Sequence, residues 1–236
     1  MALPKIQQST KEVVVPSTNK KVKIRSLTVK EEKSLVEAQQ TGKQTDVVKA
    51  IKDIIAACVS SRGFNVEELA TFDIEYIFLA IRAKSIGKSV ELDVLCPDDK
   101  ETRVTHKVDL EDVKVVFDKE HSKIFKLDAD HSIQMKYPTM DMVMSADVEE
   151  VSVEKSMELV VGCISQIFTE EESWAASDSS KEELMAWVEE LQPHQFELVE
   201  KFFATMPKLA HTIEVTNPKT KVKSEILLEG LGSFFA

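Results

Sequence analysis

The sequence predicts an α+β fold, predominantly helical, with several β-hairpins. Two patterns and one scarcity predict it. Apolar residues recur at three- and four-residue spacing through several long segments, the period of a helix that buries one face. Between them, short stretches alternate apolar and polar residues on either side of proline-containing turns, the signature of a hairpin. Only 6 glycines and 7 prolines occur among 236 residues, so long flexible linkers are not expected.

Taken in order, Glu12–Val15 and Lys21–Arg25 flank Pro16–Lys20 and predict a first hairpin; Val22 and Ile24 alternate with Lys21, Lys23 and Arg25. Thr28-Val29-Lys30-Glu31 forms a capping box, so a helix follows to about residue 40, ending near Gly42. A second helix starts near Asp46, with Val47, Ile51, Ile54, Ile55 and Cys58 on one stripe, and stops between Ser60 and Gly63. Residues 72–86 leave almost no polar face from Ile74 to Ala83, which predicts a helix buried on most sides, closed by Gly87. Val90–Val94 and Thr102–Val108 predict a second hairpin around Pro97–Lys100. Strands are expected at 113–117 and 132–137, with polar loop at 118–131.

A long helix is expected over Asp147–Phe168, where Val153, Met157, Val160, Val161, Ile164, Ile167 and Phe168 share a face. Residues 169–180 are acidic, then rich in serine, and read as loop. Ser180 to Glu183 is a second capping box, opening a helix with Leu184, Trp187, Val188 and Leu191 inward. Pro193 suits the first turn of a last helix, which ends at Pro207. Thr212–Thr216 and Lys221–Leu227 predict a final hairpin around Asn217–Thr220, followed by an apolar tail.

The pattern divides into an N-terminal lobe, 1–117, and a C-terminal lobe, 118–236. Residues 72–112 and 193–235 both run helix, hairpin, tail. At an offset of 121, Ile77 meets Leu198, Ile81 meets Phe202, Leu92 meets Ile213, Pro97 meets Pro218 and Leu110 meets Leu231. The echo fits two related helix–hairpin lobes, or chance recurrence of a common unit.

The formal net charge is -11, which argues against a nucleic-acid partner, whose footprint requires a basic face. The charge is uneven. Residues 1–30 hold seven Lys/Arg against one Glu, and residues 147–200 hold fifteen Asp/Glu against two Lys. Both fit solvated faces, and both can steer partners of opposite sign. No apolar run approaches the ~20 residues that span a bilayer, and the opening residues lack the apolar core of a signal peptide. Cys58, Cys96 and Cys163 are far apart and lie in or beside apolar stretches, as expected of small buried side chains in a reducing compartment.

No chemistry-bearing motif is present. There is no glycine-rich phosphate loop, no HExxH and no GxSxG. The five histidines are isolated in sequence. The reading is therefore of a protein that is not an enzyme, with no catalytic residues, no cofactor and no metal.

The apolar clusters are more informative. Adjacent helical residues point about 100° apart, so Phe202 and Phe203 cannot share one narrow stripe. With Met206 and Pro207, and with Leu231, Phe234 and Phe235 in the tail, they are either a wide core face or contacts for a partner.

Three segments carry a resemblance. They are Val22-Lys23-Ile24-Arg25 with Leu27–Lys33; Phe72–Leu79 with Arg82–Gly87; and Gln195-Phe196 through Phe202–Leu209 to Leu228–Leu231 and Phe234-Phe235. In this order they resemble the baseplate hub family of T-even-type, contractile-tailed bacteriophages. The resemblance implies a structural or assembly role in the baseplate hub, exerted through contacts with other hub or tail proteins, including the tape-measure protein. It places the chain in the host cytoplasm during assembly and in the virion tail. A transient tail-assembly chaperone and an acidic module binding a host protein are the alternatives. Members of the family often carry Cys-Pro-x-Cys at the hairpin tips. Here the tips read Cys96-Pro97-Asp98-Asp99 and Asn217-Pro218-Lys219-Thr220. One cysteine does not make a structural zinc site, so no metal is expected and the hairpins should be held by packing alone.

Overall fold

The computed structural model describes residues 8–146 and 152–234. The chain forms two compact units: unit 1 comprises Met1–Val116 and Lys208–Ala236, and unit 2 comprises Phe117–Pro207.

Unit 1 begins with the first hairpin, β1 (Thr10–Val14) and β2 (Lys21–Arg25), paired antiparallel with Val13 opposite Val22. Helix α1 (Val29–Gln40) follows. Glu31 closes its first turn by accepting from the Thr28 amide at 2.7 Å and also takes the Arg25 guanidinium at 2.5 and 3.0 Å. Arg25 foremost holds the Glu31 carboxyl at about 2. Helix α2 (Gln44–Cys58) buries Ile51, Ile54, Ile55 and Cys58, the expected stripe.

Helix α3 (Thr71–Ser85) buries Phe72, Ile74, Ile77, Phe78, Leu79 and Ile81 on several sides. The second hairpin, β3 (Ser89–Leu95) and β4 (Arg103–Asp109), follows, then β5 (Lys114–Val116).

Unit 2 is built on a four-stranded sheet. Its first strands are β6 (Ile124–Lys126), within the expected loop, and β7 (Ser132–Met135). Helix α4 (Met140–Ala146) comes next, without sequence warning. Residues 147–151, the start of the expected long helix, lie outside the described residues. Helix α5 (Val153–Gly162) ends at Cys163, and the chain turns into β8 (Ile164–Phe168) and β9 (Ser173–Ala175). The sheet order is β6-β7-β8-β9. Helices α6 (Lys181–Glu189) and α7 (Pro193–Ala204) complete the unit.

About 41% of the described residues are helical and 27% strand, so the fold is mixed α+β and not predominantly helical as expected. The main error has a physical cause. Ile133 and Met135 face the core, opposite Ile167 and Ile164 respectively, and the register shifts between Gln134 and Met135. One extra residue on β8, Ser165, forms a bulge. It spaces two core-facing residues three apart, which imitates the helical period. Cys163 N–H closes the last turn of α5 on the Leu159 carbonyl at 3.1 Å, and the strand begins at the next residue.

The final hairpin, β10 (Lys208–Thr216) and β11 (Lys223–Glu229), belongs to unit 1. Sequence alone places it in the C-terminal lobe. β10 pairs antiparallel with β5, Leu209 opposite Val115, giving the order β11-β10-β5. The segment 193–235, read as a second helix–hairpin lobe, is thus divided: α7 lies in unit 2 and the hairpin in unit 1.

Three hairpins of unit 1 share one tip geometry. Val15, Cys96 and Asn217 are buried, each is followed by proline, and each accepts from the amide four residues on, at 2.8, 3.0 and 2.9 Å. That fourth residue, Asn19, Lys100 or Lys221, has φ of 56°, 55° or 64°. Left-handed backbone costs a side-chain-bearing residue ~1–2 kcal/mol. Lys221→Gly should therefore raise stability by about 0.5–1 kcal/mol after glycine's entropy cost, read as a higher urea midpoint at unchanged slope.

Candidate interaction surfaces

In unit 1 the second and final hairpin tips are joined by side chains. The Asp98 carboxylate accepts from both Asn217 Nδ2, at 3.1 Å to each oxygen, and Thr220 Oγ1. These bonds lower the Asp98 pKa, Thr220 most and Asn217 next. Asn217 Oδ1 accepts from the Lys219 amide at 2.8 Å, which fixes its own turn. The expectation of packing alone is corrected: the tips are also bridged by hydrogen bonds. The positions do not fit zinc. Cys96 is buried and its thiol is pushed up, chiefly by desolvation, while Asn217 Nδ2 is a donor with no lone pair to offer. Among the described residues no group of three or more His, Cys, Asp or Glu is placed to hold a metal ion.

The tail is docked on the same unit. Leu231–Phe234 forms a 3-10 turn, and the Leu231 amide donates to Glu75 Oε1 of α3 at 3.1 Å. Gly230, at φ 68°, makes the turn possible; a Cβ there would lie 3.3 Å from that same oxygen. Burial raises the Glu75 pKa and the Leu231 bond opposes it. Leu231 and Phe234 are sealed in the core, Phe234 with 0% exposure. Phe235 lies outside the described residues.

The remaining aromatic candidates are in unit 2. Phe202 of α7 is buried and stacks on Tyr137, ring centroids 5.9 Å apart. His121 lies 5.5 Å from Tyr137 and 5.3 Å from Phe202, with Lys123 Nζ 4.1 Å from the Tyr137 centroid. Phe203 meets Phe202 edge-on at 5.2 Å and is half-buried, as is Met206; Pro207 is buried. The wide apolar face of α7 therefore divides: Phe202 turns inward, and Phe203 and Met206 keep partial access to solvent.

The surroundings of His121 favour its neutral form. Its Nδ1 lies 2.9 Å from Thr205 Oγ1, whose hydroxyl donates to the Lys201 carbonyl. Thr205 must then accept, so Nδ1 carries the hydrogen and Nε2 is a bare lone pair. Nε2 is buried with no hydrogen-bond partner among the described residues, and burial foremost lowers the His121 pKa.

Sequence reasoning missed a further surface. Trp174 on β9 is 45% exposed. It faces a pocket of about 340 Å³ walled by Ile167, Leu184 and Trp187, with His131 and Glu183 also lining it. Trp187, expected on the core face of α6, does pack against the core and also lines this pocket, whereas Trp174 falls in the segment expected to be loop. The available signal was the tryptophan amid an acidic run, since tryptophan is enriched at interface hot spots.

A family model described as T4 bacteriophage base plate protein matches residues 8–236. No curated protein and no solved structure shows a significant match.

Phe234→Ala should destabilise the protein by about 3–5 kcal/mol, as expected for emptying a sealed aromatic site, measured by urea unfolding. A second expectation concerns pH. The folded His121 binds its proton more weakly than the ordinary 6.5, so stability is full above that value and declines as pH falls below it. Both tryptophans lie in unit 2, so their emission reports its unfolding. The urea midpoint should drop between pH 7.5 and 5.5, and His121→Phe should flatten that drop.

Proposed function

This chain belongs to the T4 bacteriophage base plate protein family, and we propose that within the base plate it acts at the hub, as a structural or hub-assembly protein working through protein–protein contacts. Its place among phage base plate structural proteins rests on the family match across nearly the whole chain. A role exerted through protein–protein contacts is supported by the surface of unit 2, where Phe203, Met206 and Trp174 present apolar area on a compact body. Side chains of this kind give most of the free energy of protein association. Other base plate proteins are the partners that membership implies. The net charge of -11 favours protein over nucleic acid as the partner.

The half-exposed pair at the end of α7 carries the reading. Phe202 beside it is sealed against His121 and Tyr137, so Phe203 and Met206 are held on a rigid platform. Side chains pre-organised in this way lose little entropy on binding.

Two measurements test the proposal. Quantitative mass spectrometry of purified tails should find the chain at fixed stoichiometry if it is a hub component. Its presence on assembly intermediates, with loss from finished tails, marks a departing chaperone of a hub or tape-measure protein. Absence from both rejects the reading. In complementation, Phe203→Ser with Met206→Ser should lower tail yield at least tenfold, while circular dichroism shows the protein folded. Undiminished yield from the folded variant also rejects it.

A further inference from the structure

β9 is an edge of the unit 2 sheet, paired on one side by β8 and, among the described residues, by no strand on the other. Its register fixes which groups are bare. The Thr169 amide donates to the Glu172 carbonyl at 2.8 Å, so Thr169 and Glu172 form a hydrogen-bonded pair. Pairs alternate along an antiparallel ladder. Ile167 and Trp174 are therefore the next bonded pair, and the backbones of Ser173 and Ala175 turn away from β8. The outward Ser173 N–H and C=O and the Ala175 N–H form a short free rail, the feature through which sheets accept another strand.

Phe125 pairs with Ile133, Ile133 with Ile167, and Ile167 with Trp174. One apolar row thus crosses all four strands and ends at the exposed Trp174. Beside its end lies the pocket walled by Ile167, Trp174, Leu184 and Trp187. A strand added to β9 would place its own residue opposite Trp174, at cross-strand contact distance.

The charge around the rail selects the strand. Residues 170–190 hold eight Asp/Glu and one lysine, and that lysine, Lys181, is paired with Glu158 at 2.7 Å. Glu170, Glu171, Glu172 and Glu182 are exposed and form no ion pair among the described residues.

We propose that β9 and the two-tryptophan pocket bind an extended segment of a partner protein by strand addition, the segment carrying one large apolar side chain flanked by lysine or arginine. The apolar residue extends the row beyond Trp174, the partner backbone bonds the rail, and the flanking cations meet the glutamates. The site does not depend on whether the chain remains in the particle.

Trp174 and Trp187 are the chain's 2 tryptophans, so intrinsic emission reads this site directly. The probes are short synthetic peptides alternating lysine and threonine about a central leucine, isoleucine, phenylalanine or methionine. The same peptides with glutamate for lysine are the controls. At least one basic peptide should shift the emission saturably, more weakly at higher salt, while the acidic controls do not. Ala175 has φ -72°, which proline tolerates, so Ala175→Pro deletes one rail donor with little strain. It should weaken binding roughly fivefold, the value of one hydrogen bond, with the urea midpoint unchanged. The proposal is overturned if no basic peptide shifts the emission, if acidic controls bind equally, or if Ala175→Pro binds as tightly as the parent. It is also overturned if the emission changes with protein concentration alone and sedimentation shows a dimer, because a second copy then fills the site. Peptide binding is read on the isolated protein, so its failure leaves the base plate reading intact. Absence of the chain from tails, in turn, leaves the strand site intact.

Discussion

Unit 1 is organised by a helix that has almost no polar face. An α3 segment buried on several sides must be covered by more than one neighbour. Helix α2 and strand β2 cover it from the N-terminal side of the sequence; β5, β10 and the C-terminal 3-10 turn do so from further along. The few polar groups on α3 reinforce this. Asp73, fully buried, accepts from the Ser17 amide at 2.9 Å and from the Ser17 hydroxyl at the first hairpin tip. Glu75 accepts from Leu231 at the start of the tail turn. Two carboxylates two residues apart thus tie down segments from opposite ends of the chain, and burying them is tolerable because each is hydrogen-bonded.

The hairpin tips show how one backbone solution can be stabilised by different chemistry. The buried residue, the proline and the left-handed fourth residue recur at all three tips. The partners differ: the first tip is held by Asp73, and the other two hold one another through Asp98, Asn217 and Thr220. The junction between the second and final tips is made by a carboxylate with amide and hydroxyl donors. Such a bridge needs no ion and stays charged at neutral pH.

Unit 2 separates its apolar side chains into sealed and accessible sets. Phe202, Ile133, Met135 and Val199 form the core. Phe203, Met206 and Trp174 stand partly in water at its margins. That division leaves apolar area available for contact on a unit that already has a core of its own. Apolar area left at the margin costs little in solubility when the neighbouring surface is as acidic as residues 170–190.

Local chemistry made much of this legible from residues alone. The capping boxes at Thr28 and Ser180, proline at the start of α7, the stripe on α2, the buried character of α3 and three hairpin turns depend on neighbours within a few positions, and all are found. The order of three familiar segments also pointed to the family. What depends on distant pairing was not legible. Ile164 and Ile167 look helical by spacing, and only pairing with β7 across a bulge makes them strand. The last hairpin follows α7 in sequence but joins unit 1, because β10 finds its partner in β5, some ninety residues earlier. Whether Phe234 or Trp174 meets protein or water is decided the same way. Hydrophobicity is a property of the side chain, but burial is a property of which segments meet around it.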